Sequence, residues 1–404
     1  MRFFGRQRYP AGRVLFVGQC YYNFWYLSRE LRKLEWRADL LDMDKGENNQ
    51  SYYHGSDYRF SYRTLRDFLY QIYFYCRCFW AYDVFHFANA EGMNFGPLLN
   101  EIFKRFGTGS EVRLLKLFGK KIVYTNNGCR DGVTQSSFRK WGPSPVCDVC
   151  VWQKQPMVCS DRKNAQWGAL RNSLADYQCL LGGNRADFNI APGIHEAPWT
   201  YCLDKNFWSP DLLIPANFWL PLPKDTVKIY HAVGNFQSRS EASSAKNIKS
   251  TDVYLRVIEQ LKSEGYPVEL IFFHDVPNRQ LRYYQAQADI VVDMLSFGFF
   301  GANVREAMML GKPVICFLRP EWLESMRTEI PAYVEELPVI SATPGTVYEE
   351  LKRLVMDKAR REAVGRRSRE FAVKWHASDV AAEKFAQIYR GLRGSDLAKE
   401  EVVG

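Results

Sequence analysis

Between Ser296 and Leu318 the chain reads S-F-G-F-F-G-A-N-V-R-E-A-M-M-L-G-K-P-V-I-C-F-L, a spacing that could bind a phosphate. Gly298 and Gly301 bracket a loop, and Ala302 to Leu310 then reads as a helix of about two to three turns, stopped by Gly311 and Pro313. A helix N-terminus offers unpaired N–H groups and partial positive charge, and Gly301 has no Cβ to hold an anion away from them. Ala302 and Asn303 would add backbone donors, and Glu306 follows one turn inside. The same pattern also fits an ordinary loop, helix and strand, with Glu306 a solvated acid.

Other residue types that could do chemistry lie at strand ends. His86 sits near the C-terminal end of Tyr82–Phe87, and Asn127 and Arg130 follow the strand Lys120–Thr125. Gly18 follows the strand Arg13–Val17, and His274 follows Val268–Phe273. In a parallel sheet, ligands lie beyond the carboxyl ends of strands, so all five are placed like site residues. Cys147-Asp-Val-Cys150 is half of a zinc knuckle, and Cys159 and Cys129 complete the best candidate zinc quartet. Buried free thiols are the alternative.

The elements that must position these groups alternate. Strand, helix Trp25–Leu34 and strand Ala38–Met43 open a βαβ series. From Tyr62 to Trp80 runs a helix dense in aromatics with Arg63, Arg66 and Arg77 interleaved. It reads either as a core-facing helix or as a basic, aromatic surface for a membrane interface. Residues 129–205 form an irregular stretch rich in cysteine and tryptophan. Pro215, Pro221 and Pro223 make 212–223 a connection. A second series follows: strand Val227–Val233, a polar loop to Lys249, helix Asp252–Glu264 capped by Thr251, strand Val268–Phe273, helix Asn278–Gln287 and strand Asp289–Met294. Beyond Gly345 the pattern is helical, in three pieces broken near Gly365 and at His376–Ser378, with a last helix Asp379–Leu392.

At 404 residues the chain fits two domains, and 47% hydrophobic with 25% charged residues is a globular composition. Aromatic content, 15%, is high. No apolar run approaches the roughly 20 residues a membrane span needs, and no export signal opens the chain, so a cytoplasmic location is expected, with the inner face of the membrane as a further candidate. Ten cysteines in that setting argue for reduced thiols rather than a disulfide framework. The net charge of +9 suits an anionic partner, such as a nucleotide sugar, a phosphorylated lipid acceptor or an anionic membrane. Its basic residues are spread along the chain without a recognition motif, which argues against nucleic acid.

Two α/β domains, a proline-rich hinge and a phosphate loop in the second half resemble the GT-B glycosyltransferases, specifically the large retaining group called family 4. Four segments carry the resemblance: Ile229–Val233 with Lys246–Thr251, the strand Ala288–Asp293, Gly298 to Ile315, and Phe371–His376 before the last helix. The resemblance implies two Rossmann-like domains facing each other across a cleft, with a C-terminal helix crossing back to the first. Residues 1–220 would bind the acceptor, 221–378 the nucleotide-sugar donor, and 379–404 would form the crossover helix and tail. Lys246 and Lys249 would stabilise the leaving diphosphate without a metal cofactor, and Glu306 would accept the two ribose hydroxyls. His86 and Asn127 would be contacts to acceptor or sugar. The sequence departs from the family at Gly298, eight residues before Glu306, where an acid often reads the donor sugar, and at Asn127, where histidine is frequent. The implied activity is transfer of a sugar from a nucleotide sugar to an acceptor hydroxyl, with retention, in polysaccharide or glycolipid synthesis. The acceptor would be a sugar, a lipid-linked compound or another hydroxyl compound, with peripheral membrane contact. An inactive scaffold or nucleotide-sugar binder on the same fold remains the alternative.

Overall fold

The computed structural model describes residues 9–400 except 20, 44–53, 89–91, 127, 129–132, 141–145, 154 and 181–184, together with the side chains of 395–400. Asn127, Cys129 and Arg130 therefore lie outside the described residues. Among the described residues the chain builds two parallel sheets. The first contains β1 (Gly12–Val17), β2 (Trp36–Met43), β3 (Tyr58–Phe60), β4 (Val84–Ala88), β5 (Lys121–Asn126), β6 (Tyr177–Leu180) and β7 (Ile194–Glu196). Its order is β3-β2-β1-β4-β5-β6-β7. The second contains β8 (Val227–Val233), β9 (Val268–His274), β10 (Ile290–Val292), β11 (Val314–Cys316) and β12 (Ile340–Ser341), in the order β12-β11-β10-β8-β9.

Inner strands such as β1, β10 and β11 are nearly continuous apolar runs, which suit a sheet covered by helices on both faces. Every residue of β4 and of β10 is buried. Each sheet is doubly wound, so the strand order reverses beside the first strand of each unit. A crevice opens there, between β1 and β4 in the first sheet and between β8 and β10 in the second. The loops leaving β8 and β10 are therefore the positions where topology alone places a ligand.

The chain returns to its first domain at the end. Leu203 bridges to Ala377, and the Ser378 N–H donates to the Leu203 carbonyl at 2.8 Å. The helix Ser378–Glu400 then lays Ala381, Ala382, Phe385, Ala386 and Tyr389 against Val14, Phe16, Phe24 and Leu27. That apolar stripe is the surface the last helix needed, and covering it ties the two domains together.

One helical break differs from expectation. The chain is continuous helix from Lys358 to His376, and the interruption falls at Asp357, whose side chain caps the next helix by accepting from the Arg360 N–H. Gly365 lies inside this helix because the Gly311 carbonyl oxygen passes it closely. A Cβ there would stand 2.4 Å from that oxygen. Its glycine serves close packing against the end of Ala302–Met309, not a helix stop.

Candidate functional site

The helix Ala302–Met309 is entered through Gly301, which has an extended backbone, and Gly301, Ala302 and Asn303 line the cleft between the domains. A Cβ on Gly301 would lie 3.8 Å from the Lys249 amine and 3.7 Å from the Met294 methyl. Lys249, at the end of the β8 loop, thus stands over the helix entrance, adding a full positive charge to its partial one. Its Nζ is 2.6 Å from Oδ1 of the fully buried Asp293, at the end of β10. The other Asp293 oxygen and the Asn303 Nδ2 are buried without a protein hydrogen bond. The Asn303 Oδ1 accepts from Gln285 at 2.6 Å.

Glu306, one turn further, is buried at the floor of the cleft. Its Oε1 accepts from the Tyr22 hydroxyl at 2.6 Å and from Asn278 Nδ2 at 2.8 Å. Burial raises the Glu306 pKa, and the hydrogen bonds with Tyr22 and Asn278 and the nearby Lys249 oppose that rise. Asn278 uses its amide nitrogen on Glu306, so its Oδ1 must accept from His54 Nε2, 2.9 Å away. His54 Nδ1 then accepts from the Tyr26 hydroxyl at 2.7 Å. Burial, with Arg279 beside it, pushes the His54 pKa down to about 3, which keeps this directional chain neutral. Tyr22, Tyr26 and His54 belong to the first domain, Asn278 and Glu306 to the second.

The cleft has a volume of about 590 Å³. Of the expected residues, Gly301, Ala302, Asn303, Glu306, Lys249 and His274 line it. His274 is half-exposed beside Asp275, its ring stacked on Phe236 at 5.2 Å between centroids. Gly18 does not line the cleft but turns the chain after β1, so that Gln19, Tyr21 and Tyr22 do. Lys246 is half-buried and outside the lining. Arg239, from the same loop, is the second basic side chain that lines it. The signal for Arg239 was its place in a polar loop at a strand's carboxyl end, which does not single it out among neighbours.

His86 lies elsewhere. It is fully buried under the crossover helix, with Nδ1 2.7 Å from the Tyr389 hydroxyl and Nε2 2.7 Å from the Thr125 hydroxyl. Burial pushes its pKa down to about 3. The strand β4 runs past it to Ala88, so the ring packs in the core instead of facing the cleft. Gly298 is also outside the lining. Its φ of +90° is left-handed, and a Cβ would meet the Arg319 Cβ at 2.8 Å. An acid at this position would be strained and crowded, which accounts physically for the departure.

Among the described residues no three His, Cys, Asp or Glu side chains are grouped to hold a metal ion, and Cys129, the fourth member of the expected zinc quartet, lies outside them. Cys147 turns into an apolar cluster with Val133, Phe138 and Val146, whereas Cys150 and Cys159 line the cleft.

Buried ionisable groups predict a pH dependence. Burial lowers the pKa of His54 and His86 to about 3 and of His231 to about 4, and lowers that of His376 as well. Each of these leaves the unfolded chain binding the extra proton below the ordinary value of 6.5, so its stabilisation is lost as pH falls. Glu196, raised to about 7, and Glu111 and Glu306, also raised by burial, carry the opposite sign. The four histidines therefore make the unfolding free energy rise with pH between about pH 5 and 6.5, and the raised carboxyls offset part of that rise. Urea melts across that range check it, and a falling trend would mean that the histidines are charged in the fold.

Three solved structures share this architecture along almost their whole length. Sucrose-phosphate synthase from Thermosynechococcus elongatus matches with a TM-score of 0.58 at 15% identity, covering 95% of this chain and 100% of its own. HepE from Anabaena, in complex with UDP and glucose, matches at 0.56 and 13% identity over 94% and 99%. This is the GT-B fold. WaaG, a glycosyltransferase involved in lipopolysaccharide biosynthesis, has the same GT-B architecture, at 0.53 and 12% identity over 93% and 99%. No protein-family model matches the sequence, and no curated protein matches it. Among the described residues no helix is long and apolar enough to cross a membrane.

Proposed function

We propose that this GT-B chain is a glycosyltransferase that moves a sugar from a nucleoside diphosphate donor to an acceptor hydroxyl. One observation carries the reading: the Lys249 amine stands over the glycine entrance of a helix that lines an interdomain cleft, with Glu306 one turn inside. A departing nucleoside diphosphate must have its growing charge stabilised, and preorganised donors in a partly enclosed site do this best. Lys249, Arg239 and the N–H groups of Ala302 and Asn303 supply that stabilisation from the protein, so the step needs no metal. The diphosphate sits at the helix entrance, and the ribose hydroxyls use the remaining acceptor capacity of the Glu306 carboxylate. UDP in the HepE complex supports a nucleotide donor on this architecture.

Transfer proceeds with retention, by a front-face path in which the leaving diphosphate accepts the acceptor's proton. The five-stranded domain, within 221–378, holds the donor. The seven-stranded domain, within 1–220, presents the acceptor, a sugar or a lipid-linked hydroxyl compound of polysaccharide or glycolipid synthesis. Such a role fits a cytoplasmic enzyme working at the inner face of the membrane. His86 is left out of the reacting groups, since it does not reach the cleft.

Incubation with a panel of nucleotide sugars and chelator should release nucleoside diphosphate from one of them, and more of it with acceptor present. Nucleotide binding without turnover of any donor would favour the second reading, a nucleotide-sugar binder without catalysis, which the absence of an acid at Gly298 makes physically coherent. Absence of nucleotide binding overturns both.

A further inference from the structure

The helix Leu65–Ala81 has two faces. Inward it buries Gln71, Phe74, Tyr75, Cys78 and Ala81 against the first sheet. Outward it exposes Leu65, Leu69, Ile72, Tyr73 and Trp80, with Leu65 at 72%, Tyr73 at 60% and Trp80 at 75% of their full accessibility. The spacing from 65 through 69 and 72 to 80 is one helical stripe, about 22 Å long at 1.5 Å per residue. The inward face is that of the core-facing helix read from the sequence, and the outward face is left exposed among the described residues.

The stripe does not stand alone. At its start Tyr62 lies over Gly96, where a Cβ would meet the Tyr62 Cβ at 2.6 Å, just before Pro97 and the exposed Leu98. On the inward side Tyr75 packs on Phe103 at 5.5 Å between rings, so the helix Pro97–Lys104 is a neighbour, and it exposes Leu98 and Ile102, with Phe106 just beyond. At its end Phe79 meets Phe118 at 4.9 Å, and Leu117 beside it is 82% exposed. The stripe is thus continued at its end by Phe118 and Leu117, and the neighbouring helix Pro97–Lys104 adds further exposed apolar groups on the first domain. Isolated exposed apolar residues need no explanation, but a contiguous stripe of this kind marks an interaction surface.

The charge around the stripe chooses the partner. Arg63, Arg66, Lys104, Arg105 and Arg113 are exposed around it and Arg77 is half-exposed, against Asp67, which is engaged in the capping box of its own helix, and Glu101, which pairs with Lys104. Long basic side chains can lie along an apolar surface while reaching outward, and Trp and Tyr combine an apolar body with a polar edge. Aromatic and aliphatic groups ringed by arginines match the boundary between lipid headgroups and acyl chains in an anionic bilayer. We propose that this face, Tyr62 to Phe118, seats the protein on an anionic membrane surface without spanning it. The seat goes beyond the donor reading, which involves other residues in the other domain.

Sedimentation with phosphatidylcholine vesicles containing phosphatidylglycerol tests it. Wild-type protein should sediment with them at low salt, with binding falling several-fold at high salt or on pure phosphatidylcholine. The triple variant L69D/Y73D/W80D should lose at least about tenfold in vesicle affinity while keeping wild-type UDP affinity, which also reports that the cleft is intact. A second variant, R63E/R66E/R105E, leaves the apolar groups in place and should lose binding to anionic vesicles by a similar factor. Failure of wild-type protein to bind anionic vesicles at low salt overturns the proposal, as does vesicle binding unchanged in both variants. A dimer that becomes a monomer in the triple variant, with no vesicle binding, would make the face an interface between two copies and overturn it equally.

Discussion

Replacing Lys249 by methionine is expected to lower kcat for nucleotide-sugar turnover by about 10²- to 10³-fold, the loss seen when one preorganised donor to a developing anion is removed. The amine stands over the Gly301 entrance, where no other cation among the described residues is seen so placed. Methionine keeps the length of the side chain but leaves Asp293, fully buried, without its ion-pair partner. Uncompensated burial of that carboxylate should cost about 3–5 kcal/mol of stability. The double variant K249M/D293N separates the two effects. It should recover most of the stability and none of the activity, because a neutral pair is cheap to bury but cannot stabilise a leaving diphosphate. Steady-state kinetics and urea melts on the same samples check both halves.

Replacing Glu306 by glutamine should weaken UDP binding by about 10- to 150-fold, corresponding to about 1.5–3 kcal/mol for hydrogen bonds that lose a charged acceptor. Glutamine retains the shape and one oxygen, so Tyr22 and Asn278 keep a partner and the fold should survive. The Tyr22→Phe variant is the control. It removes only the donation at 2.6 Å to Oε1, freeing acceptor capacity for the ribose, so UDP affinity should stay within a few-fold of wild type or improve. Calorimetric titration of UDP into both proteins reads the difference. Equal losses in the two variants would make Glu306 a pin between domains instead of a nucleotide contact.

The parts of the fold legible in sequence were those set by local pattern. Buried parallel strands such as β1 and β8 are unbroken apolar runs, and Gly301 to Glu306 sits within a few residues of one helix start. Lys249 was also visible, because it closes the loop leaving β8. Groups brought in from far along the chain were not visible. Tyr22 meets Glu306 across 284 positions, and His54 meets Asn278 across 224. No short window contains such a pair, and tyrosine, asparagine and histidine are ordinary residues where they stand. His86 misled for the converse reason. A polar residue near a strand end looks like a ligand contact until the crossover helix, some 300 residues later, supplies Tyr389 as its partner. Gly365 looked like a helix stop because its close neighbour, the Gly311 carbonyl, lies on another element.

The GT-B architecture brings a cleft, and this chain's own residues furnish it with charge. The lining from the five-stranded domain includes Lys249, Arg239, His274 and Asp275, whereas the described lining from the irregular 146–159 stretch is Cys150, Val151, Trp152, Val158 and Cys159. Under the proposed function, that asymmetry would orient a donor with its phosphates toward the five-stranded domain and its transferred group toward the seven-stranded one.

A crystal structure of the complex with UDP tests the central claim most directly. The account predicts the diphosphate at the Gly301–Asn303 backbone with Lys249 Nζ in hydrogen-bond range, and the ribose hydroxyls on the Glu306 carboxylate. UDP bound elsewhere, or bound in the cleft with its phosphates away from Lys249 and Gly301, would contradict it.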